Sequence, residues 1–483
     1  MTELHFKTAL EIADDIRAKR VSAVEALEHF VGRMERYNPA LNAIIQTDLA
    51  TARADAEAAD AALARGEIIG PLHGVPMTLK ESYNLKGLPT TWGDPGLKNN
   101  VAAEDSLPAK RFKAAGAVIF GKTNVPLMLA DWQSYNAVYG TTNNPWDLTR
   151  TPGGSSGGAS AALAAGMTGL EAGSDIGSSI RNPAHYCGVF GHKATYGVIP
   201  PRGHALPGAY AFADISVIGP LARGAGDLET AFGVMAGPEE HEAVAWKFEP
   251  PPPRARSLKD LRIAFQFSSP VSEVDAEYAE RLHDLAEFLA KQGAKVSDTA
   301  LPDLDQVKAH RIYVALLRAA TSGRAPDDLI RKNLAEVETL APDDHSYYAE
   351  MARANVMRHR EWLGLNNERT RMRFVWGEFF KDWDVLLCPV AASAAFVQDQ
   401  EGERWNRTIT VNGKEIPTTD QLFWAGWNGV VGLPGTSAPI GFTRSGLPVG
   451  VQIIAPYLED LTGIELAKLL EREYQAFQPP LGY

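Results

Sequence analysis

Between Gly153 and Gly208 the chain concentrates glycine, serine and proline, and this stretch constrains the fold more than any other. Glycine supplies 43 of 483 residues, only slightly above the usual share, so position carries the information. Two runs dominate: Gly153-Gly-Ser-Ser-Gly-Gly158 and Gly173-Ser-Asp-Ile-Gly-Ser-Ser179. The first passes at once into a helical run over 159–165, which a flexible linker would not do, so its glycines serve a tight backbone path. The second follows a strand predicted over 167–172 and leads into Ile180-Arg-Asn-Pro183, the pattern of a strand-to-helix turn. Backbone N–H groups at such a turn point outward with a helix N-terminus behind them, and they suit an oxyanion.

The rest of the chain alternates helix and strand. Leu10, Ile12 and Ile16 recur at helical spacing, and Ser22 with Glu25 three residues on reads as a capping box. An alanine-rich helix is predicted over 51–65. Short apolar runs at 74–80, ending in Lys80, and at 117–120 read as buried strands, the second preceded by a helix over 107–115. Strands are also predicted at 261–265, 384–389 and 447–454, with a closing helix over 462–475. The four prolines at 250–253 make a stiff crossing rather than a domain break, because strand patterns continue on both sides. The class is α/β with a mostly parallel or mixed sheet.

Composition removes several functions. Lys and Arg number 47 against 59 Asp and Glu, a net charge of −12 that repels nucleic acid and anionic membrane surfaces. Two cysteines, Cys187 and Cys388, build neither a disulfide framework nor a cysteine zinc site. The first twenty residues lack the apolar core of a secretory signal, and no run of 18 apolar residues is present, so a cytoplasmic protein is expected. Gly116-Ala-Val-Ile-Phe-Gly-Lys-Thr123 fits the phosphate-loop pattern by letter, but its middle is a strand where the chemistry needs an exposed loop. His185, Cys187 and His192 match no common zinc spacing. Gly153-Gly-Ser-Ser-Gly157 fits the nucleophile elbow of α/β-hydrolases with Ser155 as nucleophile, yet no histidine follows His359 and the segment before it is a poor strand. A serine nucleophile without histidine needs another base, and a lysine serves if burial keeps it neutral. Lys80, at the end of a buried strand, is the candidate, against a plain surface or ion-paired lysine, with Glu81 as its partner.

Taken together, these residues resemble the amidase signature family. The match is carried by GVPMTLKES around Lys80, TPGGSSGGASAAL around Ser155 and GSDIGSSIRNPAHYCGVFGHKATYG around Ser179. GKTNVP at 121–126, NPWD at 144–147, DVLLCP at 384–389 and GLPVGVQII at 446–454 extend it from about residue 5 to 475. Ser155 follows Lys80 by 75 residues and Ser179 follows Ser155 by 24, which fits the family.

The resemblance implies a Ser–cis-Ser–Lys triad. Ser179 would be the nucleophile, Ser155 the bridging serine after a cis peptide bond, and Lys80 the base. The backbone N–H groups of Ile176, Gly177, Ser178 and Ser179 would hold the oxyanion, with Ser156, Asp175 and Arg181 in support. The implied fold is a single α/β/α sandwich around a large mixed β-sheet. The whole chain, 1–483, then forms one domain: N-terminal helices over 1–70, a catalytic core over 71–240, and the second half of the sheet over 261–475 with a mainly helical segment at about 274–382. The family usually has two glycines before the nucleophile; here they are Gly177 and Ser178, so Ser178 is strained if its φ is positive.

The activity implied is hydrolysis of a carboxylic amide through an acyl-enzyme, with aryl amides, esters and carbamates within reach. Leu127, Met128, Leu129 and Trp132 fall in a segment that lines the acyl pocket of relatives, and an apolar lining there favours aryl or medium acyl groups. Core packing is the competing reading for those four side chains. No cofactor, no metal, no direct nucleic acid and no membrane partner is expected, and a homodimer stays open. Two alternatives remain: the glutaminase component of a tRNA-dependent amidotransferase complex, and an esterase of the α/β-hydrolase type using Ser155.

Overall fold

A computed structural model describes residues 3–323 and 325–483. Eight strands form the main sheet, in the spatial order Lys295–Ser297, Arg262–Phe265, Val385–Pro389, Pro448–Ile454, Gly435–Phe442, Phe190–Lys193, Val217–Ala222 and Glu171–Asp175. The first three pair in parallel and the remaining neighbours are antiparallel, so the sheet is mixed as expected. It takes strands from both sides of the proline run at 250–253. Immediately after that run, Arg254 donates to the Phe380 carbonyl at 2.6 Å and pairs with Glu459 at 2.6 Å.

Alternation along the central strands shows that both faces are covered. A Cβ at Gly191 would lie 2.9 Å from Ile180, and one at Gly435 would lie 3.4 Å from Arg181, so this face receives the helix Arg181–Cys187. The next residues, His192 and Thr436, face the other way. His192 Nε2 lies 3.0 Å from Asp460, at the start of the helix Asp460–Glu473. The result is a sheet between two helical layers.

Lys80 does not lie on the main sheet. The strand Pro76–Lys80 pairs in parallel with Val118–Thr123, which pairs antiparallel with Ile44–Thr47, making a three-stranded sheet. This sheet meets the edge of the main one where Thr78 N donates to Leu170 O at 3.3 Å and Gly169 N to Pro76 O at 3.0 Å. Those two bonds set Lys80 beside the strand that leads to Ser179.

The capping box at Ser22 and Glu25 is present, starting the helix Ala23–Leu41. Ile44–Thr47 was not legible as a strand, being four residues between two helices. The strand predicted over 167–172 is corrected to Glu171–Asp175, because residues before it are used in the turn that joins the two sheets. The phosphate-loop pattern is the buried strand Val118–Thr123, and Lys122 Nζ donates to Pro89 O at 2.6 Å and Thr90 Oγ1 at 3.1 Å. His185 and His192 are engaged in internal hydrogen bonds, and among the described residues no His, Cys, Asp and Glu cluster could hold a metal. No helix among the described residues is long and apolar enough to cross a membrane.

Candidate active site

The strand Pro76–Lys80 is buried along its whole length and delivers the Lys80 side chain into the interior. Lys80 Nζ lies 2.7 Å from Ser155 Oγ, 3.0 Å from Ser174 Oγ and 3.5 Å from the Ser174 carbonyl. Loss of hydration on burial draws the lysine pKa down to about 7, against the opposing fields of Asp175 and Glu171. Glu81 does not pair with it; its carboxylate accepts the N–H groups of Thr91 at 2.5 Å and Trp92 at 2.9 Å.

Ser155 follows a cis peptide bond from Gly154. The turn works because no side chain fits there: a Cβ at Gly154 would sit 2.2 Å from the Asp131 carbonyl, and Gly153 has φ 87°. Neighbours hold it in place. Gly153 N donates to Thr151 Oγ1 at 3.0 Å, and Ser134 Oγ donates to Gly153 O at 3.0 Å and accepts Gly157 N at 3.1 Å. Asn182 Oδ1 accepts Gly154 N at 3.3 Å. Ser156 Oγ accepts Ser174 N at 3.4 Å, which ties this loop to the strand Glu171–Asp175.

Ser179 lies in the turn between that strand and the helix Arg181–Cys187. Its carbonyl accepts Ser156 N at 3.1 Å, which joins the two serine loops. Exposure rises in order along the three side chains: Lys80 0 %, Ser155 1 %, Ser179 5 %. Among the described residues the Ser179 hydroxyl has no hydrogen-bond partner, and no bond links it to Ser155 in this arrangement.

Asp175 organises the turn. Its Oδ1 accepts Ser178 N at 2.9 Å, and its Oδ2 accepts Ile180 N at 3.1 Å and Arg181 N at 3.4 Å. Arg181, wholly buried, returns Nε and Nη2 to the same carboxylate at 3.0 and 2.8 Å. Burial works against this carboxylate, but the Arg181 charge overrides it and holds the Asp175 pKa below the usual range. The expectation of four open N–H donors is therefore corrected to three. The Ser178 donor is taken, while those of Ile176, Gly177 and Ser179 meet no acceptor among the described residues. Ser178 has φ 70°, and its hydroxyl is buried without a partner.

The carbonyls of the turn are clamped from outside. Trp132 Nε1 donates to Gly177 O at 2.6 Å, and the Tyr313 hydroxyl donates to Ile176 O at 3.0 Å. Trp132, expected as pocket lining, thus acts on the turn itself. Leu127 and Met128 are 51 % and 37 % exposed on a single helical turn with Leu129. Ser174, Ser134, Thr151, Asn182 and Tyr313 were missed in the sequence. Ser174 at least lay inside the motif around Ser179, and its place one residue before Asp175 on a strand was a usable signal.

The fold thus gathers a buried lysine, a serine after a cis peptide bond and a second serine beside N–H groups that meet no acceptor among the described residues. A family model described as Amidase matches residues 25–462, and the chain belongs to this amidase family. It is a hydrolase acting on amide bonds. It is 33 % identical to the indoleacetamide hydrolase of Bradyrhizobium diazoefficiens, across 94 % of this chain and 84 % of that one. It is 32 % identical to an acylamidase of Rhodococcus erythropolis, across 98 % and 96 %. It is 30 % identical to one component chain of the glutamyl-tRNA(Gln) amidotransferase of Bdellovibrio bacteriovorus, across 97 % of both chains. The solved structure of 6-aminohexanoate cyclic dimer hydrolase superposes with a TM-score of 0.78 at 27 % identity, covering 100 % of this chain and 99 % of that one.

Proposed function

We propose that the chain hydrolyses small carboxylic amides through an acyl-enzyme on Ser179, with Ser155 as proton bridge and Lys80 as base. The observation that carries this reading is the 2.7 Å contact between the buried Lys80 amine and Ser155. A lysine with a pKa of about 7 is neutral in a large fraction of molecules at neutral pH, and only that form accepts a proton.

Neutral Lys80 takes the Ser155 proton as Ser155 takes that of Ser179. Ser179 Oγ then bonds to the amide carbon, and the carbonyl oxygen becomes an oxyanion held by the N–H groups of Ile176, Gly177 and Ser179. The relay runs back to the amide nitrogen, the C–N bond breaks, and ammonia or an amine leaves. Water, deprotonated by the same relay, attacks the ester carbon, releases the acid and restores Ser179. Arg181 and Asp175 hold the turn and touch no reacting atom. Esters, anilides and carbamates present the same carbonyl to the same serine and belong to the proposed range.

The likeness to the amidotransferase chain supports a second reading, a glutaminase component that works in a complex. Assay of the purified chain alone on primary amides, anilides, esters and carbamates separates the two. Turnover by the isolated chain, lost in Ser179→Ala, supports the free amidase. Inactivity alone, with glutamine hydrolysis only when the other amidotransferase components are supplied, supports the complex.

A further inference from the structure

Near the serine turn the chain buries a positive charge that no carboxylate among the described residues pairs with. Arg318, on the helix Gln306–Ser322, is 8 % exposed. Among the described residues its guanidinium forms no hydrogen bond and no ion pair, and its Nε is buried without a partner. The centroid of the Tyr347 ring lies 5.3 Å from the guanidinium carbon. A buried charge is costly unless an opposite charge or strong acceptor meets it.

A second cation stands near it. Arg404 Nη1 donates to the Ala130 carbonyl, and burial followed by the Arg318 charge draws its pKa below the usual arginine value. Of the carboxylates close by, Asp131, mostly buried, is already held by Arg407 at 2.7 Å, and Glu403 is exposed. Two guanidinium groups thus share a region whose unpaired carboxylate, Glu403, is exposed.

That region adjoins the candidate active site. Tyr313, five residues before Arg318 on the same helix, donates to Ile176 O at 3.0 Å. Its phenol is pushed far up by burial and lies within the fields of Arg181, Asp175 and Arg318 together. Ala130, which Arg404 holds, is two residues from Trp132, whose indole clamps Gly177. The serine turn and the arginine pair are thus linked through Tyr313 on one side and through the segment 130–132 on the other.

We propose that Arg318, assisted by Arg404, forms an anion subsite that selects amides carrying a carboxylate at a distance from the scissile carbonyl. The planar fork of a guanidinium matches a carboxylate in a way that no other side chain does. The proposal rests on the amidase reading of Ser179, but binding tests it without chemistry.

The full chain carrying Ser179→Ala is titrated calorimetrically with glutaryl-4-nitroanilide, with N-benzoyl-4-aminobutyrate, and with the uncharged pentanoyl-4-nitroanilide. The two acids place the carboxylate in the acyl half or the amine half. At least one acid is expected to bind tenfold or more tighter than the neutral anilide. Adding Arg318→Gln is expected to weaken that acid by about tenfold to a hundredfold and leave the neutral ligand within about twofold. Arg318→Lys is expected to keep part of the preference. The proposal is overturned if Ser179→Ala binds the neutral anilide as tightly as both acids, a result that needs no arginine variant to fold. It is equally overturned if Arg318→Gln weakens charged and neutral ligands alike. Failure of Ser179 to form an acyl-enzyme would sink the amidase mechanism and leave this binding preference standing, so the two failures are distinct.

Discussion

Lys80 Nζ and Ser155 Oγ lie 2.7 Å apart with both side chains closed off from solvent. An amine in that position loses its hydration and is poised to exchange a proton near neutral pH, its pKa being about 7. The acylation rate should rise with pH through a midpoint near 7, because the active form is the neutral lysine. Between pH 8 and pH 5 kcat/KM should fall by about a hundredfold. Stopped-flow or initial-rate profiles on an anilide check this, and Lys80→Met should remove the limb together with the activity.

The same burial makes stability depend on pH. Unfolded, the lysine holds its proton up to about pH 10.4. Folded, it releases it near 7. Between those values the unfolded chain binds more protons, so stability climbs as pH rises and is lowest below 7. Lys80→Met removes this contribution and should raise Tm at pH 6–7 more than at pH 9. The slope should flatten without vanishing, because burial lowers Lys193 to about 7 and Lys122 to about 8 as well.

Asp175 holds the serine turn through the Ser178 N–H and the buried Arg181. Asp175→Asn leaves that guanidinium without its counter-charge. Removing one partner of a buried pair costs about 3–5 kcal/mol. Chemical denaturation should show a loss of that order, with turnover lost in parallel.

Ser178→Gly should do the reverse. The position has φ 70° and its hydroxyl is orphaned, so glycine relieves left-handed strain of about 1 kcal/mol and removes an unsatisfied group. The backbone N–H to Asp175 is kept. A higher denaturation midpoint with kcat within about threefold is expected.

Trp132→Phe keeps an aromatic side chain but deletes the donor to Gly177 O and part of the ring volume. One hydrogen bond is worth about 1 kcal/mol in stability. Because that bond clamps the turn that carries Ser179, loosening it should lower kcat more than it changes KM. Steady-state kinetics on one anilide read the split.

The three elements of the candidate site were legible because each is local: an apolar run ending in Lys80, and two glycine-dense turns around Ser155 and Ser179. The main-sheet strands at 385–389 and 448–454 were legible for the same reason, as buried apolar runs. What escaped was long-range. Trp132 reads as pocket lining until the fold brings its indole to Gly177, and Tyr313 has no local signal at all. The Ser178 N–H reads as an oxyanion donor along the chain; that Asp175 claims it depends on how the turn curls back. The short strand Ile44–Thr47 forms only because Val118–Thr123 offers it an edge.

In the proposed mechanism Ser179, and not Ser155, attacks the substrate. Treatment of the full chain with a fluorophosphonate, followed by digestion and peptide mass spectrometry, tests it most directly. A single adduct on Ser179, abolished in Ser179→Ala, is expected. An adduct on Ser155 that persists in Ser179→Ala would contradict it.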